Sequence, residues 1–381
     1  MPTEIRPFHA MTIGKAAHRL EEAGRRVFHM EFGQPTARPP GAVLRAAEAM
    51  LDDGVKGYWE SAALKDEIAA SYASLYGVGI DPSRIILTCG ASPALALALM
   101  AGFAPGDRIA MARPGYVAHR NCVIGLHMRP VELPCDATTG FRLTASMVDA
   151  VDPAPAGLIV ASPANPTGSV IPRAQLEAIV EVCMRKGIRI ISDEIYNLIS
   201  YEGAAASLCE LTDTAAVVNS FSKFYAMPGW RLGWAVMPEE LAPRAHAYMS
   251  NFFLTPPSLS QAAGLAALRA TEELHRHVEV YRRNRARLLA ALPELGLREI
   301  APPDGAFYIY TRVDHLTDDS RSLCLGLLED TGVATASGID FDPEEGHRFM
   351  RFSFAVSEAE LAEALERITP WFAARRAQTG G

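Results

Sequence analysis

The sequence predicts an α/β fold in which a mostly parallel central sheet is covered by helices on both faces. Between about residues 48 and 285, short β-branched runs alternate with helical patterns, which is typical of a parallel sheet. These runs are apolar on both faces, as expected for strands buried between two helical layers. Beyond about residue 286 a few further strands and helices indicate a smaller α+β domain.

We therefore expect a large domain over 48–285 and a small domain over 286–381, with residues 1–47 packing against the small one. The N-terminal segment is broken by Pro35, Pro39 and Pro40 and is too short to form a domain by itself. The last helix of the small domain starts with Ser357-Glu-Ala-Glu360, a capping-box pattern.

The individual elements follow from local patterns. Strands are predicted in the large domain over 84–88, 108–112, 157–161, 188–192, 215–219 and 231–237, and in the small domain over 307–313 and 348–355. Helices are predicted over 93–103, 172–186 and 320–330, with one long helical stretch from 258 to 292. Ser92 is the expected N-cap of the helix that starts at Pro93.

Composition excludes several classes of protein. Of the 381 residues, 49% are hydrophobic and 21% are charged, which excludes a disordered, collagen-like or coiled-coil chain. A net charge of −8 argues against a nucleic-acid partner. The longest apolar run, 94–104, is about half of the roughly 20 residues that a membrane helix needs, and no secretory signal is visible. The six cysteines form no close pair and no C-x-x-C or His-x-x-His pattern occurs, so we expect a cytoplasmic protein without a metal site.

Chemistry-bearing residues follow five successive predicted strands. In an open parallel sheet ligands bind beyond the carboxyl ends of the strands, although each of these segments alone also fits an ordinary turn or helix cap. In chain order the segments are Gly90-Ala91-Ser92, Tyr116, Asn165, Asp193 with Tyr196, and 220–231 with Ser220, Ser222, Lys223 and Arg231. Together they offer phosphate-binding groups, an aromatic face, a hydrogen-bond donor, a carboxylate and one of only five lysines in the chain. Pyridoxal 5′-phosphate needs this set.

The chain resembles the class I/II aminotransferases, which are fold-type I pyridoxal-phosphate enzymes. The resemblance extends from Gly33 almost to the C-terminus. The matching stretches are Gly57-Tyr58, 88–95 (TCGASPAL), 113–116 (RPGY), 162–168 (SPANPTG), 192–196 (SDEIY), 219–234 (NSFSKFYAMPGWRLGW), 305–308 (GAFY) and 350–355 (MRFSFA).

The resemblance implies a role for each matching residue. Lys223 would form the Schiff base with the cofactor and move the substrate proton, Asp193 would pair with the pyridine nitrogen, and Tyr196 would bind the phenolic oxygen together with Asn165. Tyr116 would stack on the ring. The phosphate would be held by Gly90, Ala91, Ser92, Ser220, Ser222 and Arg231.

Further residues would bind the substrate and a partner subunit. Arg351 would clamp the substrate carboxylate, beside Asn165 and the backbone of Gly33. A homodimer is implied, in which Tyr58 reaches the phosphate of the partner subunit.

The predicted reaction is a ping-pong transfer of the amino group from an α-amino acid to a 2-oxo acid. Two alternatives stay open: a C–S lyase of the same fold, and a non-catalytic, ligand-sensing relative. The sequence departs from the family pattern at Thr36-Ala37 and at 337–342 (SGIDFD), in segments that border the substrate side chain in relatives. The sequence therefore predicts the chemistry but does not identify the amino donor or the acceptor.

Overall fold

The computed structural model describes Ile5 and residues 7–379. Twelve strands are formed in this part of the chain. They are β1 (Phe28–His29), β2 (Ile85–Thr88), β3 (Arg108–Arg113), β4 (Arg129–Pro134), β5 (Gly157–Ala161), β6 (Arg189–Asp193), β7 (Ala216–Ser220), β8 (Gly233–Val236), β9 (Tyr308–Arg312), β10 (Val333–Ala334), β11 (Ala336–Ser337) and β12 (Phe349–Ser353).

The helices of the same described residues surround these strands. They are α1 (His9–Glu22), α2 (Gly41–Asp52), α3 (Ala62–Tyr76), α4 (Ala91–Gly102), α5 (Val117–Gly125), α6 (Ala145–Asp149), α7 (Arg173–Lys186), α8 (Ala242–Tyr248), α9 (Ser258–Leu268), α10 (Thr271–Ala291), α11 (Ser320–Thr331) and α12 (Glu358–Thr379). None of the described helices is long and apolar enough to cross a membrane.

A seven-stranded sheet forms the centre, with the order β2-β8-β7-β6-β5-β3-β4. Its strands pair in parallel except β8, which runs antiparallel to both β7 and β2. Alternate residues of each strand face opposite layers: Ile86, Ile109 and Ile191 pack beneath α4 and α8, whereas Leu87, Leu158 and Ile190 pack on the other face. Burial on both faces explains why the strands are apolar throughout.

Strand β4 was missed by the sequence analysis. It contains Pro130 and Pro134 and lies at the edge of the sheet. Proline has no backbone N–H, and it is tolerated at an edge because half of the backbone groups there need no partner strand. A strand with two prolines gives a weak signal in the sequence.

Two further local predictions were wrong. The stretch predicted as one helix over 258–292 breaks between α9 and α10, at Arg269 and Ala270, where no proline or glycine marks the break. The helix after β2 starts at Ala91, and its N-cap is Gly90 rather than Ser92. Gly90 has φ of 103°, a left-handed conformation that side chains rarely adopt, so the glycine sets the start of the helix.

The C-terminal part of the chain forms a second, smaller unit of structure with the N-terminal segment. Strands β11, β12 and β9 form an antiparallel sheet, and β1 pairs in parallel with β10. Helix α1 packs on β11 and α11, whereas α2 packs on α9. The boundaries predicted at 47/48 and 285/286 fall inside α2 and α10, so the domain division stays a prediction.

Candidate active site

A cavity of about 740 Å³ opens at the carboxyl end of the central sheet. Residues that follow β2, β3, β5, β6 and β7 line one side of it, as expected for a parallel sheet. The other side is formed by Gly33 after β1, Tyr308 of β9 and Arg351 of β12. The cavity therefore lies between the central sheet and the smaller C-terminal unit.

The N-terminus of α4 forms one end of the cavity. Ala91 and Ser92 line it, and the first-turn N–H groups of a helix favour an anion. The Thr88 hydroxyl donates to the carbonyl of Gly90 at 2.8 Å and fixes the turn before the helix. Arg231 reaches this turn and donates to the carbonyl of Cys89 at 3.1 Å. A Cβ on Gly90 would lie 2.6 Å from Arg231 Nη2, so the glycine makes room for the guanidinium.

Lys223 lines the centre of the cavity, three residues after β7 ends. Its Nζ donates to the carbonyl of Gly33 and lies 5.9 Å from the centre of the Tyr196 ring. Burial, followed by the positive charge of Arg351, lowers the pKa of Lys223 to about 8. Near neutral pH the neutral amine is therefore much more populated than that of an ordinary lysine, and only a neutral amine is a nucleophile or a base.

Asp193 ends β6 and is held by a histidine that the sequence analysis missed. Oδ2 of Asp193 lies 2.8 Å from Nε2 of His119, and Oδ1 accepts from the backbone N–H of Ile195 at 3.3 Å. Both side chains are buried and line the cavity. His119 also makes an edge contact with Tyr116, with the two ring centres 5.6 Å apart. The pair places a carboxylate of fixed orientation at the base of the cavity.

Arg351 is buried on the side of the cavity that β12 forms. Nη1 donates to Oδ1 of Asn165 at 2.7 Å, and Nη2 donates to the carbonyl of Glu31. The guanidinium also lies over the rings of Tyr308 and Phe341, 4.4 Å and 4.6 Å from their centres. Because arginine has no acceptor, Asn165 must turn its Oδ1 toward Arg351, which leaves the amide Nδ2 as the donor toward the cavity.

Two tyrosines join the two sides of the cavity. The hydroxyls of Tyr196 and Tyr308 lie 2.5 Å apart. Burial, followed by the neighbouring Tyr308, raises the pKa of Tyr196 well above its ordinary value. Burial likewise raises the pKa of Tyr308 to about 12. Both side chains therefore stay neutral hydroxyls that can donate a hydrogen bond.

The structure brings most of the predicted site residues together. Those that line the cavity are Gly33, Ala91, Ser92, Tyr116, Asn165, Asp193, Tyr196, Ser222, Lys223, Arg231 and Arg351. Three others do not: Gly90 lies behind Arg231, Ser220 is buried beneath Ser222, and Tyr58 is 85% exposed elsewhere on the chain. Ser220 holds Ser222 instead, with the two hydroxyl oxygens 2.8 Å apart.

Several residues of the cavity wall were not predicted from the sequence. Tyr308 belongs to the matching stretch at 305–308, but no role was assigned to it. His119 lies one helical turn after Tyr116, and this spacing was the available signal. The apolar wall formed by Phe8, Met11 and Phe32 had no signal, because the N-terminal segment gave no strand or helix pattern.

Comparison with known proteins identifies the family. The model for aminotransferase class I and II matches residues 28–368. The valine–pyruvate aminotransferase of Mycobacterium tuberculosis is 42% identical over 374 residues, which cover 96% of each chain. The (5-formylfuran-3-yl)methyl phosphate transaminase of Methanocaldococcus jannaschii is 32% identical over 369 residues, or 95% of each chain.

Solved structures agree with this result. A crystal structure of an aminotransferase from Mycobacterium tuberculosis has a TM-score of 0.94 at 41% identity and covers 98% of both chains. The aspartate aminotransferase from Thermus thermophilus with maleate has a TM-score of 0.88 at 30% identity, over 96% of this chain and 97% of that one. The predicted fold class is confirmed, and the lyase and ligand-sensing alternatives are not favoured. The chain is an enzyme of the class I and II aminotransferase family.

Proposed function

We propose that this aminotransferase binds pyridoxal 5′-phosphate through Lys223 and transfers the amino group of an apolar α-amino acid to a 2-oxo acid. Members of the class I/II family use this cofactor. The observation that carries the proposal is the content of one cavity: a lysine with a lowered pKa, an Asp–His pair, and two arginines, Arg231 and Arg351.

The residues fit the cofactor. The N-terminus of α4, Ser222 and Arg231 offer N–H, hydroxyl and guanidinium donors to a phosphate. The space beside Gly90, which a Cβ would fill, is used by Arg231. Asp193 offers a carboxylate to a ring nitrogen, and its hydrogen bond with His119 fixes its orientation. When bound, pyridoxal phosphate supplies a carbonyl that condenses with an amine and a ring that accepts the electron pair released at the substrate Cα.

The chain's own residues then perform the remaining tasks. Nζ of Lys223 accepts the proton from the substrate Cα and donates it in the following step, for which a pKa of about 8 is suitable. Asp193 would hold a proton on the ring nitrogen. Asn165 Nδ2, whose Oδ1 accepts from Arg351, and the Tyr196 hydroxyl, which is paired with that of Tyr308, would donate to the phenolic oxygen. Arg351 binds the substrate carboxylate and so sets the position of Cα relative to Lys223.

The cavity wall supports an apolar substrate side chain. Phe8, Met11, Phe32, Leu95 and Ile195 line the cavity. Among the described lining residues the cationic side chains are Lys223, Arg231, Arg351 and, when protonated, His119, and each already has a role above. No further arginine is among the described residues that line the cavity, so an acidic side chain would find no arginine of its own there. The name of the Mycobacterium relative, which pairs valine with pyruvate, agrees with this substrate class.

The absorbance spectrum of the purified protein tests the proposal. A visible band in the wild type and in the control Lys186→Ala, absent in Lys223→Ala, is the expected result. Valine or a similar apolar amino acid should bleach the band without a second substrate, and a 2-oxo acid should restore it. A Lys223→Ala protein with an unchanged band would contradict the assignment. Bleaching by aspartate but by no apolar amino acid would contradict the substrate class.

A homodimer is the further part of the proposal. Tyr58, Phe252 and Val55 expose large apolar side chains, with 85%, 65% and 56% of their surface accessible in the single chain. An interface between two copies of the chain would bury aromatic side chains such as those of Tyr58 and Phe252. We assign Tyr58 to the partner's phosphate site by family resemblance. The cytoplasmic location and the division into 48–285 and 286–381, with 1–47 against the latter, remain predictions.

A further inference from the structure

Two histidines and a glutamate meet at the surface beside α1. His18 and Glu21 are one turn apart on α1, and His29 ends β1. Nδ1 of His18 lies 2.8 Å from Oε2 of Glu21, and Nε2 of His29 lies 3.3 Å from Oε1 of the same carboxylate. One ligand atom from each of the three side chains lies within 4.8 Å of the others.

These separations are close to those of a zinc shell. Bonds of about 2.0–2.1 Å in tetrahedral geometry place neighbouring ligand atoms about 3.3 Å apart. The two nitrogens contact different oxygens of Glu21, and the three ligand atoms lie within 4.8 Å of one another. Closing the shell therefore requires shifts of about 1–2 Å, within the reach of an exposed side chain such as His18. Two imidazoles and one carboxylate are ligands that suit Zn²⁺ and Co²⁺.

A buried carboxylate stands behind His29. Nδ1 of His29 lies 2.7 Å from Oε1 of Glu31, whose side chain is fully buried. The other oxygen of Glu31 is buried and has no hydrogen-bond partner. Metal-binding histidines commonly donate their second ring N–H to a carboxylate, which fixes the ring and leaves the first nitrogen free to ligate. Glu31 therefore directs Nε2 of His29 toward Glu21 and His18.

We propose that His18, Glu21 and His29 form a site for one divalent metal ion of the zinc type, with Glu31 as the carboxylate that positions His29. His18 and Glu21 are exposed, so water completes the coordination. No metal site was expected from the sequence, since short Cys and His motifs are absent from it, whereas these ligands come from a helix and a strand.

The metal site would join two elements that also build the active-site cavity. Helix α1 contributes Met11, and the chain after β1 contributes Phe32. The rings of Phe32 and His29 are stacked, with their centres 6.5 Å apart. Metal binding would therefore hold α1 against β1, at a point where the following residues accept hydrogen bonds from Arg351 and Lys223. The site lies outside the reacting groups, so its role is to stiffen this wall.

Metal titration of the full-length chain, purified without a histidine tag, tests the site. Calorimetry with Zn²⁺ should give one equivalent per chain, and Co²⁺ should give visible d–d bands. His18→Ala and His29→Ala should each weaken Zn²⁺ binding at least about tenfold, and Glu31→Gln by about 10–100-fold. The exposed His347 provides the control, because His347→Ala should bind zinc as the wild type does.

The melting temperature supplies an independent readout. Zn²⁺ should raise it in the wild type and in His347→Ala but not in His18→Ala, because a ligand that binds only the folded chain stabilises it. His18 is mostly exposed, so its replacement leaves the fold intact even if the Glu31 variant does not fold. Absence of saturable binding at about 1 mM Zn²⁺, or equal affinity in His18→Ala and the wild type, would overturn the proposal. These readouts do not depend on transaminase activity.

Discussion

Replacing Arg351 by lysine should lower kcat/KM for an apolar amino acid by about 10- to 150-fold. The guanidinium is held by Asn165 Oδ1 at 2.7 Å, by the Glu31 carbonyl, and by the rings on either side of it, so its planar fork has a fixed direction. Lysine keeps the charge but cannot form two parallel hydrogen bonds with a carboxylate. The loss of one charge-assisted hydrogen bond costs about 1.5–3 kcal/mol, which gives the stated range.

The assay should compare valine with isobutylamine, which has the same side chain but no carboxylate. If Arg351 binds the carboxylate, the Arg351→Lys enzyme should lose most of the wild-type preference for the amino acid, while the rate with the amine changes little. Arg348→Lys is the matched control, since Arg348 precedes the same strand and forms partly exposed ion pairs with Asp314 and Glu345. That control should change kcat/KM by less than about threefold.

An equal loss with valine and with isobutylamine would refute the reasoning. It would mean that Arg351 supports the fold of the cavity without contacting the substrate. A second check is the cofactor band, which should be unchanged in Arg351→Lys because Arg351 contacts Asn165 and Glu31, whereas the proposed phosphate site is built by Arg231 and the start of α4.

Three further predictions concern the cofactor site and its surroundings. Gly33→Ala should lower activity and should lower the free energy of unfolding by about 1–3 kcal/mol, because the new Cβ would lie 2.0 Å from the Tyr308 hydroxyl. The control Gly79→Ala should change neither, because no atom lies within 4 Å of its new Cβ. The rate at which the cofactor-free chain binds pyridoxal phosphate covalently should rise about tenfold per pH unit and level off above pH 8, since Lys223 with its lowered pKa is mostly neutral only above that value. A rate that does not change between pH 6 and pH 8 would contradict this. Mixing inactive Tyr58→Ala chains with inactive Lys223→Ala chains should restore about a quarter of the wild-type sites, because half of the dimers are mixed and each mixed dimer has one intact site. If dimers shown to be mixed recover no activity, the proposed role of Tyr58 is excluded.

Most of the central sheet could be predicted because its strands are buried on both faces. Such strands give short apolar runs, and the helices between them give a different period, so both the alternation and the strand ends are visible in the sequence. What could not be predicted depends on tertiary contacts. Strand β4 forms only because an edge accepts its prolines, and the break before α10 has no local breaker residue. Helix α1 is held by a distant carboxylate, Asp340, which accepts from the backbone N–H groups of His9 and Ala10.

The same distinction explains which site residues the sequence analysis assigned. The rule that ligands bind at the carboxyl ends of parallel strands identifies Asp193, Asn165 and Lys223, since all three follow or end strands of the same sheet. It cannot find a partner that arrives from another element. His119 is 74 residues from Asp193 and lies inside a helix, and only the packing of α5 against the sheet brings the two together.

Arg351 is a site residue that the rule about strand ends could not identify. It was assigned by resemblance alone, because no strand-end rule connects it to Asn165, which is 186 residues away. The structure supplies the physical reason for its position: a fully buried guanidinium needs partners for its donors, and Asn165 and the Glu31 carbonyl are those partners. The partners that neutralise the cost of burying Arg351 also turn it toward the cavity. A guanidinium whose two terminal nitrogens are held in this way is already oriented before a substrate carboxylate arrives, and this preorganisation is what a lysine at the same position would lack.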